Sequence, residues 1–173
     1  MDEAYAKDPE ERESKGKGKA MAKGPWDVLV DVYLRSETPG DFTIESYLQS
    51  TPGSDELVFH NRGHPGFNVT FVLHDQTGLG YRFPSPPKDE DSIWSQYGAV
   101  GCPGSPGIWD VFDQKRIVVS HGGLQMTAFN PNPKPAKGKF RYTLNVTKDN
   151  GANYLPLDPG GDNQNGNFRA DFD

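Results

Sequence analysis

The residues whose types suit metal or nucleophilic chemistry are His60, His64, His74, His121 and the single Cys102. His60-Asn61-Arg62-Gly63-His64 spans a turn between two predicted strands, an arrangement that would let two rings converge. A fixed metal needs three or four N, S or O ligands in defined positions. Cys102 and His121 would have to complete such a set, as in a cupredoxin-like sandwich. The run of Cys, His and Met close to the C-terminus that such sites use is absent, so the histidines read as surface or turn residues. Nucleophilic catalysis fares no better. There is no Gly-x-Ser-x-Gly elbow, no Cys/His signature and no glycine-rich phosphate loop opening a helix. Asp89-Glu90-Asp91 reads as a solvated charge run rather than an acid/base pair. The chain is expected not to be an enzyme.

Two further sets suit binding. Asp158-Pro159-Gly160-Gly161-Asp162-Asn163-Gln164-Asn165-Gly166-Asn167 is rich in oxygen ligands, and Asp158, Asp162, Asn163 and Asn165 form a candidate for a weak, irregular calcium site. Calcium takes six to eight oxygens. EF-hand spacing fails, because Gly161 stands where the first Asp belongs and Phe172 where the bidentate Glu belongs. The plain alternative is turn chemistry, since Asx side chains mimic backbone turns and Gly takes positive φ. No other cofactor is expected. Trp94, Tyr97 and Trp109 are the candidate ligand-binding aromatics, placed to stack on a sugar; the competing reading has the tryptophans plugging the ends of the core.

The elements that must position these groups are strands. Lys139 to Thr147 alternates without a break, with Phe140, Tyr142, Leu144 and Val146 on one face and Arg141, Thr143, Asn145 and Thr147 on the other. A side-chain period of two predicts a half-buried strand. The same pattern recurs over 26–34, 42–49, 67–74, 116–120 and 124–129, with shorter candidates at 57–59, 79–83, 108–112 and 154–157. His121-Gly122-Gly123 and Asp149-Asn150-Gly151 read as hairpin turns. With 20 glycines, 15 prolines and no convincing helix, the expected fold is all-β, an antiparallel two-sheet sandwich. A closed barrel is the runner-up. The stretch 84–107, which carries Pro84, Pro86, Pro87, Pro103 and Pro106, reads as one long loop too apolar for a free linker.

Residues 1–24 form a charged flexible tail in which acids and bases balance, and 25–173 form the sandwich domain. The net charge of −6 gives no electrostatic case for nucleic acid. Met1 to Lys23 lacks the apolar stretch of a signal peptide, and no run is long enough for a membrane span. One cysteine permits no internal disulfide. Cytoplasm is the expected location. The sequons at Asn68 and Asn145 lie in predicted strands and read as chance.

Phe140-Arg141-Tyr142-Thr143-Leu144-Asn145-Val146-Thr147, followed by Asp149-Asn150-Gly151, Tyr154, Asp158-Pro159 and Asn163, resembles the C-terminal signature of small bacterial Ig-like β-sandwich proteins. Gly66 to Leu73 and Gly80 to Phe83 are similar to their middle strands. The resemblance covers roughly residues 27–165 and implies an Ig-like fold. It carries no catalytic residues, because none are known for those proteins. Gly160-Gly161 and the 84–107 segment depart from the pattern.

Three functions are compatible with these features. The first is a non-enzymatic interaction or self-assembling structural module, whose partner is another protein or itself, joined through the tail or a sheet edge. The second is a small-ligand module for carbohydrate or calcium, using loops 84–107 and 158–167. The third is an enzyme using Cys102 with His121 or His60, which requires a depressed thiol pKa.

Overall fold

The computed structural model describes residues 24–60, 66–104, 106–133 and 135–163. The 1–23 part of the expected tail lies outside them. Ten strands are present among the described residues: β1 (Trp26–Leu34), β2 (Phe42–Glu45), β3 (Glu56–Phe59), β4 (Phe67–Asp75), β5 (Ile93–Tyr97), β6 (Val118–Ser120), β7 (Gln125–Asn130), β8 (Gly138–Val146), β9 (Leu155–Leu157) and β10 (Gly160–Asn163). The described helical elements are short 3-10 turns, such as Asp89–Ser92. No helix is long and apolar enough to cross a membrane.

The first sheet runs β2-β1-β4-β7-β6 and the second β3-β10-β8-β5, with β9 also on β8. Alternation does what it must. Val28, Val30, Val32 and Leu34 of β1 and Phe67, Val69, Phe71 and Leu73 of β4 are buried, as are Phe140, Tyr142, Leu144 and Val146 of β8. The two layers meet directly. The Phe71 and Tyr142 rings lie 6.0 Å apart, and Phe59 meets Phe67 edge-on at 5.1 Å. Each such side chain contributes about 1.5–3 kcal/mol on burial, and together they form one continuous core.

Four expectations need correction. The sheets are mixed rather than antiparallel, because β1 pairs with β4 in parallel and β10 pairs with β3 in parallel. The chain leaves the first sheet after β2, forms β3 in the second, and returns beside β1 as β4. Such a crossover sets strand direction, where a hairpin would have reversed it. The stretch 84–107 is not one loop: it contains β5, which pairs antiparallel with β8 from Ile93↔Leu144 to Tyr97↔Phe140. And β8 is half buried only at its start, where Lys139 and Arg141 are exposed. Thr143, Asn145 and Thr147 on its outer face are at most 3% exposed. The expected strands at 79–83 and 108–112 reduce to single bridges, Arg82↔Thr147 and Ser95↔Trp109. The two predicted hairpin turns are present, joining β6 to β7 and β8 to β9. Asn150 and Gly151 there have φ of 54° and 82°, a conformation that Asn and Gly tolerate best.

Candidate functional site

Side chains on the outer face of β8 decide what that face can do. Thr143 Oγ1 donates to the Pro103 carbonyl oxygen at 2.6 Å, and Asn145 Nδ2 donates to that of Asp91 at 2.7 Å. The segment they hold cannot build a ladder of its own, so its buried carbonyls take donors from the strand beneath. The Asp91 carboxylate in turn accepts from Trp94 Nε1 at 3.2 Å and from the Tyr154 hydroxyl at 3.1 Å. Trp94 and Tyr154 meet edge-to-face at 6.0 Å. Gly107 packs so closely that an added Cβ would lie 2.6 Å from Trp94 Cδ1 and 2.6 Å from Trp109 Cη2. This half of the face is closed.

The other half is open. There β10 runs between β8 and β3, with Gly160 opposite Arg141 on one side and Glu56 on the other. Gly161 faces the core, where an added Cβ would sit 2.7 Å from Phe140 Cε2. Gly160 faces outward and leaves the floor of a groove of about 460 Å³, bounded by Asp55, Glu56, Gly98, Ala99, Lys139 and Arg141. Lys139 Nζ lies 3.6 Å from Glu56 Oε1. Arg141 is exposed, and its guanidinium forms no hydrogen bond or ion pair among the described residues. An added Cβ on Gly160 would lie 3.1 Å from Arg141 Nη1, so the arginine lies against the bare strand.

Cys102 sits beside the groove, with its thiol 3.7 Å from the Pro159 carbonyl oxygen. Burial pushes the thiol up to about 11; the Asp158 and Asp55 carboxylates add to this, and Arg141 opposes them. The sulfur is therefore a protonated thiol at neutral pH, unlike an activated nucleophile. The same interactions place Asp55, Asp158 and Arg141 around one atom. The loop ahead of Gly107 and the link between β9 and β10 converge here.

The residues singled out from sequence are dispersed by comparison. Trp94 is buried on the outer face of β5. Tyr97, three residues on, faces the opposite way, edge-on to Phe140 at 6.0 Å with Lys137 Nζ 5.3 Å from its ring centre. Trp109 is partly buried and donates its Nε1–H to the Glu90 carbonyl oxygen at 2.9 Å. Asp158 is exposed in the β9–β10 link, whereas Asp162 and Asn163 fall within β10 and Asn165 lies outside the described residues. His60 is exposed after β3, and His64 lies outside the described residues. His74 Nε2 is 2.7 Å from Asp31 Oδ1 on the first sheet, and its ring stacks on Tyr33 at 4.5 Å. His121 Nδ1 is 3.0 Å from Ser120 Oγ. No group of three or more His, Cys, Asp or Glu among the described residues is placed to hold a metal ion. Arg141, Asp55 and Gly160 were not singled out. The signal available for them was a glycine pair beside an arginine on the polar face of the most regular strand.

No protein-family model matches the chain, and no curated protein matches it.

Proposed function

We propose that the protein is a non-enzymatic recognition module of Ig-like architecture that binds a small polar ligand in the groove between Arg141 and Asp55. The observation that carries this reading is the Arg141 guanidinium, unpaired among the described residues, lying beside a strand stripped of side chains at Gly160. Pockets that hold small molecules are concave, with a few convergent polar groups, and the groove has that character. The stretches 84–107 and 158–163 both contribute to it, Gly98 and Ala99 from one and Gly160 from the other. The acidic balance favours a partner other than nucleic acid, and the single free thiol suits a cytoplasmic setting. Amide-resolved NMR titration of the full chain with small polar probes tests the reading. Shifts clustered at Gly98, Arg141 and Gly160 support it, and a panel that leaves all three unmoved overturns it.

A second reading, assembly with a protein partner or another copy, has its own support. Val118 on edge strand β6 is 58% exposed, and Leu29 and Tyr47 are also exposed large apolar side chains. The other edges favour it less. Outside β3, Val58 N–H donates to the Leu48 carbonyl oxygen at 2.7 Å; outside β5, Ser95 N–H donates to that of Ile108 at 2.7 Å. Gln49 Nε2 caps the Ile44 carbonyl oxygen of β2 at 2.9 Å. Backbone already occupied in this way is a poor template for another strand. Light scattering at increasing concentration checks this second reading, which fails if the chain stays monomeric.

A further inference from the structure

Resting on the groove reading above, the geometry points to a dipolar ligand: a short peptide with free termini, its carboxylate on Arg141 and its ammonium on Asp55. The charges that line the groove argue for this by opposing each alternative. A divalent cation would enter beside Arg141 and Lys139, and a phosphate would enter beside Asp55 and Glu56. Each meets like charge in a confined space, which disfavours it. A sugar would look for an exposed aromatic platform, but the aromatic ring at the groove is that of Phe140, which is 2% exposed. A zwitterion meets opposite charge at both ends.

The arrangement also fixes the size. Lys139 and Glu56 lie 3.6 Å apart, which leaves Arg141 and Asp55 as the opposite charges with no hydrogen bond or ion pair among the described residues. Arg141 and Glu56 stand on either side of Gly160, so two strand spacings put their Cα atoms about 10 Å apart, and the Arg141 side chain leaning over Gly160 shortens the gap to be spanned. Asp55 is the next residue along from Glu56. Two residues of extended chain span about 7 Å. A guanidinium also matches a terminal carboxylate in a two-pronged bond that an isolated ammonium cannot make. The missing side chain at Gly160 seats the Arg141 guanidinium close to the sheet, where an added Cβ would lie 3.1 Å from Nη1, and the same argument makes residue 160 a test of the geometry.

Calorimetric titration of the full chain with alanyl-alanine, its N-acetyl form, its C-terminal amide, inorganic phosphate, calcium chloride and maltose separates the outcomes. Free alanyl-alanine is expected to bind. Amidation and the Arg141→Ala substitution should each weaken it by roughly tenfold or more, the loss expected when a charge-assisted bond disappears. Acetylation and Asp55→Asn should weaken it less, and Gly160→Ala should weaken it without changing the fold seen by circular dichroism. If blocked and free peptides bind alike, or if Arg141→Ala binds as well as wild type, the peptide assignment is overturned. If phosphate, calcium or maltose binds at the groove and the peptide does not, the groove reading survives and this one falls. If nothing binds, both fall.

Discussion

The outer faces of the two sheets have been given opposite treatments by similar residue types. On the first, Asn68, Thr70, Val72 and His74 of β4 alternate outward and stay partly exposed; their bonds run sideways, Thr70 to Thr127 at 2.9 Å and His74 to Asp31 at 2.7 Å. On the second, Thr143 and Asn145 of β8 also point outward, but their bonds run upward into a covering segment. A polar side chain on a sheet thus has two uses: to face water, or to hold irregular backbone that has no ladder. Only the second use shapes a groove, because the cover ends at Gly98–Ala99 and leaves Arg141 exposed above Gly160.

The largest effect should come from prising off the cover. Gly107→Ala places a methyl 2.6 Å from atoms of both Trp94 and Trp109, rings held in place by their bonds to Asp91 and Glu90. A loss of about 3 kcal/mol is expected for overpacking of this kind, read as a lower urea midpoint. A midpoint equal to wild type would mean that the cover is loosely seated. Next comes Thr143→Val, which keeps the shape but strands the Pro103 carbonyl oxygen. About 1–2 kcal/mol should be lost, with faster amide exchange over 98–104 as the local readout.

The pH dependence sharpens the same contrast. The turn after β8 ties into the cover through Ser85 N–H, which donates to Asn150 Oδ1 at 3.4 Å, and Lys88 Nζ, which donates to the Gly151 carbonyl oxygen at 2.9 Å. Inside that turn the Asn153 side chain, then its backbone N–H, and the Thr147 hydroxyl hold the Asp149 carboxyl down at about 2. A carboxyl lowered from its unfolded value of about 3.9 adds stability that is complete above that value. That stability is lost as pH falls toward 2. Asp149→Asn should therefore lower stability at pH 6 and flatten its decline between pH 4 and pH 2. Parallel curves for the two proteins would show that this carboxylate contributes nothing specific.

How much of this was legible depends on whether a residue's fate is set locally. Val28 to Leu34 and Phe67 to Leu73 could be read because period two leaves one solution for each. Asn150-Gly151 could be read because few other residues accept those dihedrals. Strand β5 could not, since Ile93, Trp94 and Ser95 are all buried and a strand covered on both faces loses its alternation. Nor could β10, whose Gly160-Gly161 offers no side-chain pattern. The parallel pairings depend on crossovers between sheets, which no short window contains. At the site, the arginine and the glycine pair were visible as letters, but their adjacency arises only when β10 inserts between β8 and β3.

The smallest effect makes the cleanest control. Thr70→Val is the same substitution as Thr143→Val, made on the open face of the first sheet. Thr70 lies directly across from Thr127 in the β4–β7 register, and both are partly exposed. Removing one hydroxyl frees the other to bond water, so no buried group is orphaned. Valine also suits a strand at least as well as threonine. The expected change is within about 0.5 kcal/mol of wild type, checked by urea unfolding beside Thr143→Val. Equal losses at both positions would mean that the chemistry of threonine in a strand, rather than the segment above it, sets the cost. A loss confined to Thr143 ties that cost to the Pro103 carbonyl, and with it the wall that bounds the groove.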